Sequence, residues 1–165
     1  DVEWGWMRTG YSECIDSFFA FGLFEAARRS GFFPPDLVGT FEPVIQEESR
    51  HILFFQNWAA WKRAQQPLWR KPYFLAKTAA VWAVLLWDRF VLARNIGGGS
   101  SQTNFTANSD SIGVTMSPVE LMRICLEEND RRLAGYDPRL VRPNTVPFFV
   151  RLALRFMKKP NAAAA

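Results

Sequence analysis

The stretch Phe41–Trp61, FEPVIQEESRHILFFQNWAAW, constrains this chain more than any other. Positions 41, 44, 48, 51, 55 and 58 keep a helical spacing and carry Phe, Val, Glu, His, Phe and Trp. That stripe is apolar at both ends and ionisable in the middle, so it is expected to face a core. Glu48 and His51, the sole histidine of the chain, then lie where an ionisable pair is costly without a partner.

The other segments are read against this helix. Residues 1–10, with two Trp and two Gly, show no steady period and read as an entry segment packed by Trp4 and Trp6. From Tyr11 to Arg29 the pattern is helical, with Cys14, Phe18, Phe21 and Glu25 on one stripe beside Ile15, Phe19, Gly22 and Ala26. Arg28 and Arg29 suit a helix C-terminus, and Gly31 suits its stop. Glu25 is expected to be partly exposed and to pair with one of these arginines. Pro34–Pro35 interrupts, and a second helix is expected from near Asp36 to Gln66, with Pro43 in its first turn or at a break. Pro67 ends it, and Arg70-Lys71-Pro72 forms a basic link.

Tyr73–Arg94 contains neither Gly nor Pro and reads as a third helix. Its uncharged run, Thr78–Trp87, is too short to cross a bilayer. Burial on most sides is expected, with a membrane-surface helix as the alternative. Asp88 shares a face with Val81, Val84, Leu85 and Leu92; it either points into the core or sits at its edge, paired with a basic side chain. Gly97–Thr115 reads as a long polar loop. It lacks the spacing and the Lys of a phosphate loop. Its Asn104-Phe105-Thr106 matches a glycosylation acceptor. A fourth helix then starts sharply: Ser117 caps, Pro118 takes the first position, Glu120 completes a capping box, and Met116 and Leu121 form a staple. On it Leu121, Ile124, Cys125 and Glu128 share a face, and Glu127 is placed to pair with Arg131. Gly135 ends it. Phe148–Lys159 reads as a short C-terminal helix with Phe149, Leu152, Ala153 and Phe156 inward and Arg151 and Arg155 outward.

Nothing reads as a strand longer than a few residues, so an all-α fold is expected. At 165 residues the chain suits a single helical domain over 1–161, with Ala162–Ala165 an uninformative tail. It begins at Asp1 within ordered-looking sequence, which leaves open that it is the C-terminal part of a longer chain. Twenty Lys and Arg against sixteen Asp and Glu make a mild, scattered excess. The basic and aromatic residues are not interleaved as in a nucleic-acid module, and no nucleic-acid partner is expected. Cys14 and Cys125, far apart in helical apolar patterns, read as buried thiols, with one disulfide as the alternative.

Four helices with inward carboxylates invite comparison with metal-binding bundles, where Glu-x-x-His places both ligands on adjacent turns of one face. Over about Tyr11 to Gly135 the helix order, with Glu47-Glu48-Ser49-Arg50-His51 as its motif, resembles the ferritin-like superfamily. The resemblance implies a ferritin-like four-helix bundle and an iron or manganese centre, with iron activating dioxygen or peroxide if the protein is an oxidoreductase. Carried over, Glu25 is the ligand of the first helix, Glu48 and His51 those of the second, and Asp88 a shorter stand-in on the third. Glu128 is the ligand of the fourth, with Glu127 its rival. The fourth helix departs from the pattern: it reads Glu128-x-x-Arg131, with no second histidine.

A second reading is a non-catalytic packing subunit. Fifteen Phe and seven Trp exceed what one core face needs, so part of this aromatic surface is expected to cover a homo-oligomer interface, another protein or a peripheral membrane contact. The expected location is cytoplasmic, with membrane association open.

Overall fold

A computed structural model describes residues 1–96 and 116–157. Within them the chain is a bundle of five α-helices: α1 (Val2–Ser30), α2 (Pro35–Gln65), α3 (Lys71–Ile96), α4 (Pro118–Ala134) and α5 (Thr145–Phe156), with a 3-10 turn at Leu68–Arg70. The all-α expectation holds. The polar 97–115 segment, its glycosylation pattern and the terminal alanines lie outside the described residues.

The entry segment is a correction. Residues 2–10 belong to α1, which begins directly after Asp1, whose side chain accepts a hydrogen bond from the Glu3 amide at 3.0 Å. Gly5 and Gly10 obscure the period here, yet Gly10 is where a second helix comes close. A Cβ at Gly10 would meet the Phe55 side chain of α2 at 2.9 Å. The predicted C-terminus is present, with Gly31 at φ 71 in the left-handed region and its amide bonded to the Arg28 carbonyl.

α1 is the hub of the bundle. Its N-terminal half packs Met7, Tyr11 and Ile15 against Phe74, Val81 and Leu85 of α3. Further along, Cys14 and Phe21 meet Ile52 and Leu53 of α2 and Leu133 of α4, while Ala26 and Ala27 meet Ile124 of α4. Phe18, Cys125 of α4 and Val150 of α5 form a fourth cluster. The α1–α4 contact is the closest of these: a Cβ on Gly22 would lie 2.2 Å from Cys125 Sγ and 2.9 Å from its Cα, so only glycine fits. Both cysteines are buried and free, and burial pushes their thiols up to about 11 for Cys14 and about 12 for Cys125.

Two helices face differently from what their periods suggested. α2 buries Ser49, Ile52 and Leu53, and exposes Phe41 and Val44, so the stripe through Glu48 and His51 is not its core face. α5 buries Pro147 and Val150 and exposes Phe149, Leu152 and Phe156, although Arg151 and Arg155 point outward as expected. Both helices carry apolar residues around most of their circumference, so periodicity alone does not select the buried side.

α3 is built the other way round. Lys77 pairs with Glu3 at 2.9 Å and with Asp1, Asp88 accepts from Arg8 at 3.1 Å, and Arg89 donates to Asp16 at 2.6 Å. All these partners are on or capping α1. Between Tyr73 and Val91 every exposed residue of α3 is apolar. Among the described residues, no helix is long and apolar enough to cross a membrane.

Candidate functional site

The Glu48–His51 pair is where a site was expected, and α2 does hold both side chains on one face. His51 Nδ1 lies 3.5 Å from Glu48 Oε2. The His51 side chain is 59% exposed, because α2 turns Ser49, Ile52 and Leu53 toward α1 instead. The pair borders an open cleft of about 540 Å³ between α1 and α2, lined by Glu13, Glu48, Arg50, His51, Phe54 and Phe55. Partial burial, and after it the neighbouring Glu48, raise the Glu13 carboxyl above its ordinary range, while His51 acts in the opposite direction. Glu13 is the residue that the sequence reading missed. It sits one step from the buried Cys14, and only the crossing of α1 with α2 brings it opposite Glu48; no local pattern signals that.

The remaining expected ligands sit on arginines. Glu25 is buried near the end of α1 and accepts from Arg28 Nε and Nη2 at 2.7 Å each and from Arg29 Nε at 2.6 Å. The sequence expectation of one arginine partner is met by both. The Arg28 hydrogen bond, reinforced by Arg29, holds the Glu25 carboxyl down at about 2 despite burial. Glu128 is likewise buried, accepting from Arg131 at 2.8 and 2.7 Å. The i,i+3 pairing of Glu128 with Arg131 replaces the anticipated Glu127–Arg131 pair, and Glu127 instead lies 3.8 Å from Arg29.

Arg132 completes this network. Its side chain is fully buried, its guanidinium lies over Phe21 and Phe24 at 5.3 and 5.8 Å, and it donates to both Glu42 oxygens at 3.1 and 3.0 Å. Its Nε is 3.3 Å from Glu128 but off the line of a hydrogen bond, so this contact is an ion pair without an aligned donor. Glu42 of α2 is thereby tied to α4, and Gln46 donates to the Arg132 carbonyl at 3.1 Å. Asp88, on α3, pairs with Arg8 at the edge of the core, the second of its two expected positions.

The arrangement therefore joins Glu48 with His51 and adds Glu13, but leaves Glu25, Glu128 and Asp88 each held by guanidinium groups. Among the described residues, no group of three or more His, Cys, Asp or Glu side chains is placed to hold a metal ion. A carboxylate whose oxygens already accept charged hydrogen bonds is a poor metal donor without rearrangement. The five side chains, as arranged, do not fit an iron or manganese centre.

Next to the cleft lies an aromatic cluster. Trp6 of α1 stacks on Trp58 with ring centroids 5.4 Å apart and meets Phe55 edge-on at 5.0 Å, and Phe54 adjoins at 6.2 Å. Phe54 remains 59% exposed. Comparison with protein-family models, with curated proteins and with solved structures gave no match.

Proposed function

We propose that this chain is a non-catalytic helical packing subunit that binds a protein partner through its aromatic surface. The observation that carries this reading is the Trp6–Phe54–Phe55–Trp58 cluster, a set of large rings packed on each other with Trp6 and Phe54 open to solvent. Clustered Trp and Phe on a surface are the composition of an interface centre, where a few such rings carry most of the binding energy. The buried carboxylates support the same reading. Glu25 and Glu128 are occupied by arginines of their own helices, and the half-exposed Glu42 ties α2 to Arg132 of α4, which is structural work and leaves them little capacity to bind a metal.

The test combines metal analysis with native mass spectrometry of the purified protein. Folded protein without stoichiometric metal, in an assembly that Phe54→Glu disrupts, is the expected result. Stoichiometric iron or manganese that is lost in His51→Ala would overturn the reading in favour of a metal centre built on Glu48 and His51.

A further inference from the structure

α3 carries two apolar seams on nearly opposite faces, and the fold uses one of them. The inner seam, Phe74, Thr78, Val81 and Leu85, runs along α1. The outer one is Tyr73, Ala76, Ala80, Ala83, Trp87 and Phe90, all exposed. Their spacings alternate between three and four residues, the heptad repeat by which one helix packs along another. A membrane surface accepts the same spacing, so the spacing sets the line of contact and leaves the occupant to the residue sizes along it. The outer seam also has no charge within it, because Lys77, Asp88 and Arg89 are all turned toward α1.

The order of residue sizes along the seam identifies the occupant. Reversing the seam about a point between Ala80 and Ala83 sets Tyr73 against Phe90, Ala76 against Trp87, and Ala80 against Ala83. Large residues then fall on small ones or flank the ends, and the alanines allow close approach at the centre. A seam complementary to its own reverse is what a two-fold interface between identical chains requires. The three exposed aromatic rings supply on the order of 350 Å². The adjoining Ala79, Val84 and Leu86 bring this to on the order of 500 Å² per partner, about the 1,000 Å² in total that a specific interface has to clear.

We infer that two copies of this chain pair through α3 in antiparallel register, with the two-fold axis between Ala80 and Ala83. This goes beyond the packing-subunit reading, because the outer face of α3 is a different surface from the Trp6–Trp58 cluster. The seam spans about 26 Å. Two Tyr73 side chains therefore lie at opposite ends of the interface, while each Tyr73 adjoins the Phe90 of the other copy.

Sedimentation of the full chain at tens of micromolar is expected to show a dimer, and Ala80→Glu a monomer with unchanged far-ultraviolet circular dichroism. Under oxidation, a mixture of Tyr73→Cys and Phe90→Cys chains is expected to cross-link, and Tyr73→Cys alone to remain uncross-linked. A wild-type monomer, self-cross-linking of Tyr73→Cys, or retention on phosphatidylcholine vesicles that Ala80→Glu abolishes would overturn the inference. A dimer that survives Ala80→Glu but dissociates with Phe54→Glu would overturn it too, while leaving the proposed aromatic interface standing.

Discussion

α3 and α4 both pack on α1, yet they distribute polarity in opposite ways. The exposed positions of α4 include Glu120, Arg123, Glu127, Asp130 and Arg131, so its outer face is strongly charged. It also brings charge inward, with Arg132 and Glu128 buried against α1 and α2. α3 pairs its three charges with α1, with Lys77 covered and Asp88 and Arg89 at the partly exposed margin, and carries apolar residues across the rest of its outer face between Tyr73 and Val91. A helix with a charged outer face is finished by water. One with a broad apolar outer face presents a surface suited to being covered.

The most damaging test of this contrast is Arg132→Ala. It removes the cation beneath Phe21 and Phe24 and leaves Glu42 and Glu128 without their buried partner. Breaking one side of a buried pair costs about 3–5 kcal/mol, so urea denaturation should show a loss of that size. A loss below about 1 kcal/mol, the range of surface ion pairs, would mean that the α4 network is an exposed one.

Neighbouring leucines sharpen the α3 side. Leu85 is 3% exposed and Leu86 55%. Leu85→Ala is expected to cost about 2–5 kcal/mol, and Leu86→Ala to stay within about 0.5 kcal/mol when measured on the monomeric Ala80→Glu background. Equal losses at the two positions would show that the outer face is covered within the same chain.

The smallest effect is in acid. Glu25 has a folded value depressed from 4.5 to about 2, so on acidification the unfolded chain takes up its proton first. The stability that the carboxylate supplies is full above about 4.5 and is lost as pH falls toward 2. With half-exposed arginine partners it amounts to roughly 2 kcal/mol. Glu25→Gln should flatten the fall in stability between these two pH values; an unchanged slope would place the acid-sensitive group elsewhere.

Much of the local structure was legible in the residues. Ser117 accepts the Glu120 amide at 3.2 Å as the capping pattern implied, Gly31 closes α1, and Pro67 follows the end of α2. On α1 Cys14, Phe18 and Phe21 are buried as their stripe implied, whereas Glu25, read as partly exposed, is buried too because α1 is surrounded by neighbours from Phe21 to Ala27. The candidate site was legible only as the Glu48–His51 pair. Its third member, Glu13, comes from another helix, and the expected ligands Glu25, Glu128 and Asp88 meet arginines instead.

By itself, then, the amino-acid sequence determined that the chain is helical, where α1 ends, where α2 and α4 start and stop, and that Glu25 would meet an arginine from its own last turn. Those outcomes rest on backbone hydrogen bonding, caps and i,i+3 or i,i+4 reach, all of which operate within a few residues. Only the tertiary structure decided which side of α2, α3 and α5 is buried and that Arg132 ties Glu42 to Glu128. A helix apolar around most of its surface has no preferred inward face until a neighbour covers one, and the close approach of Gly22 to Cys125 and of Gly10 to Phe55 sets which neighbour does.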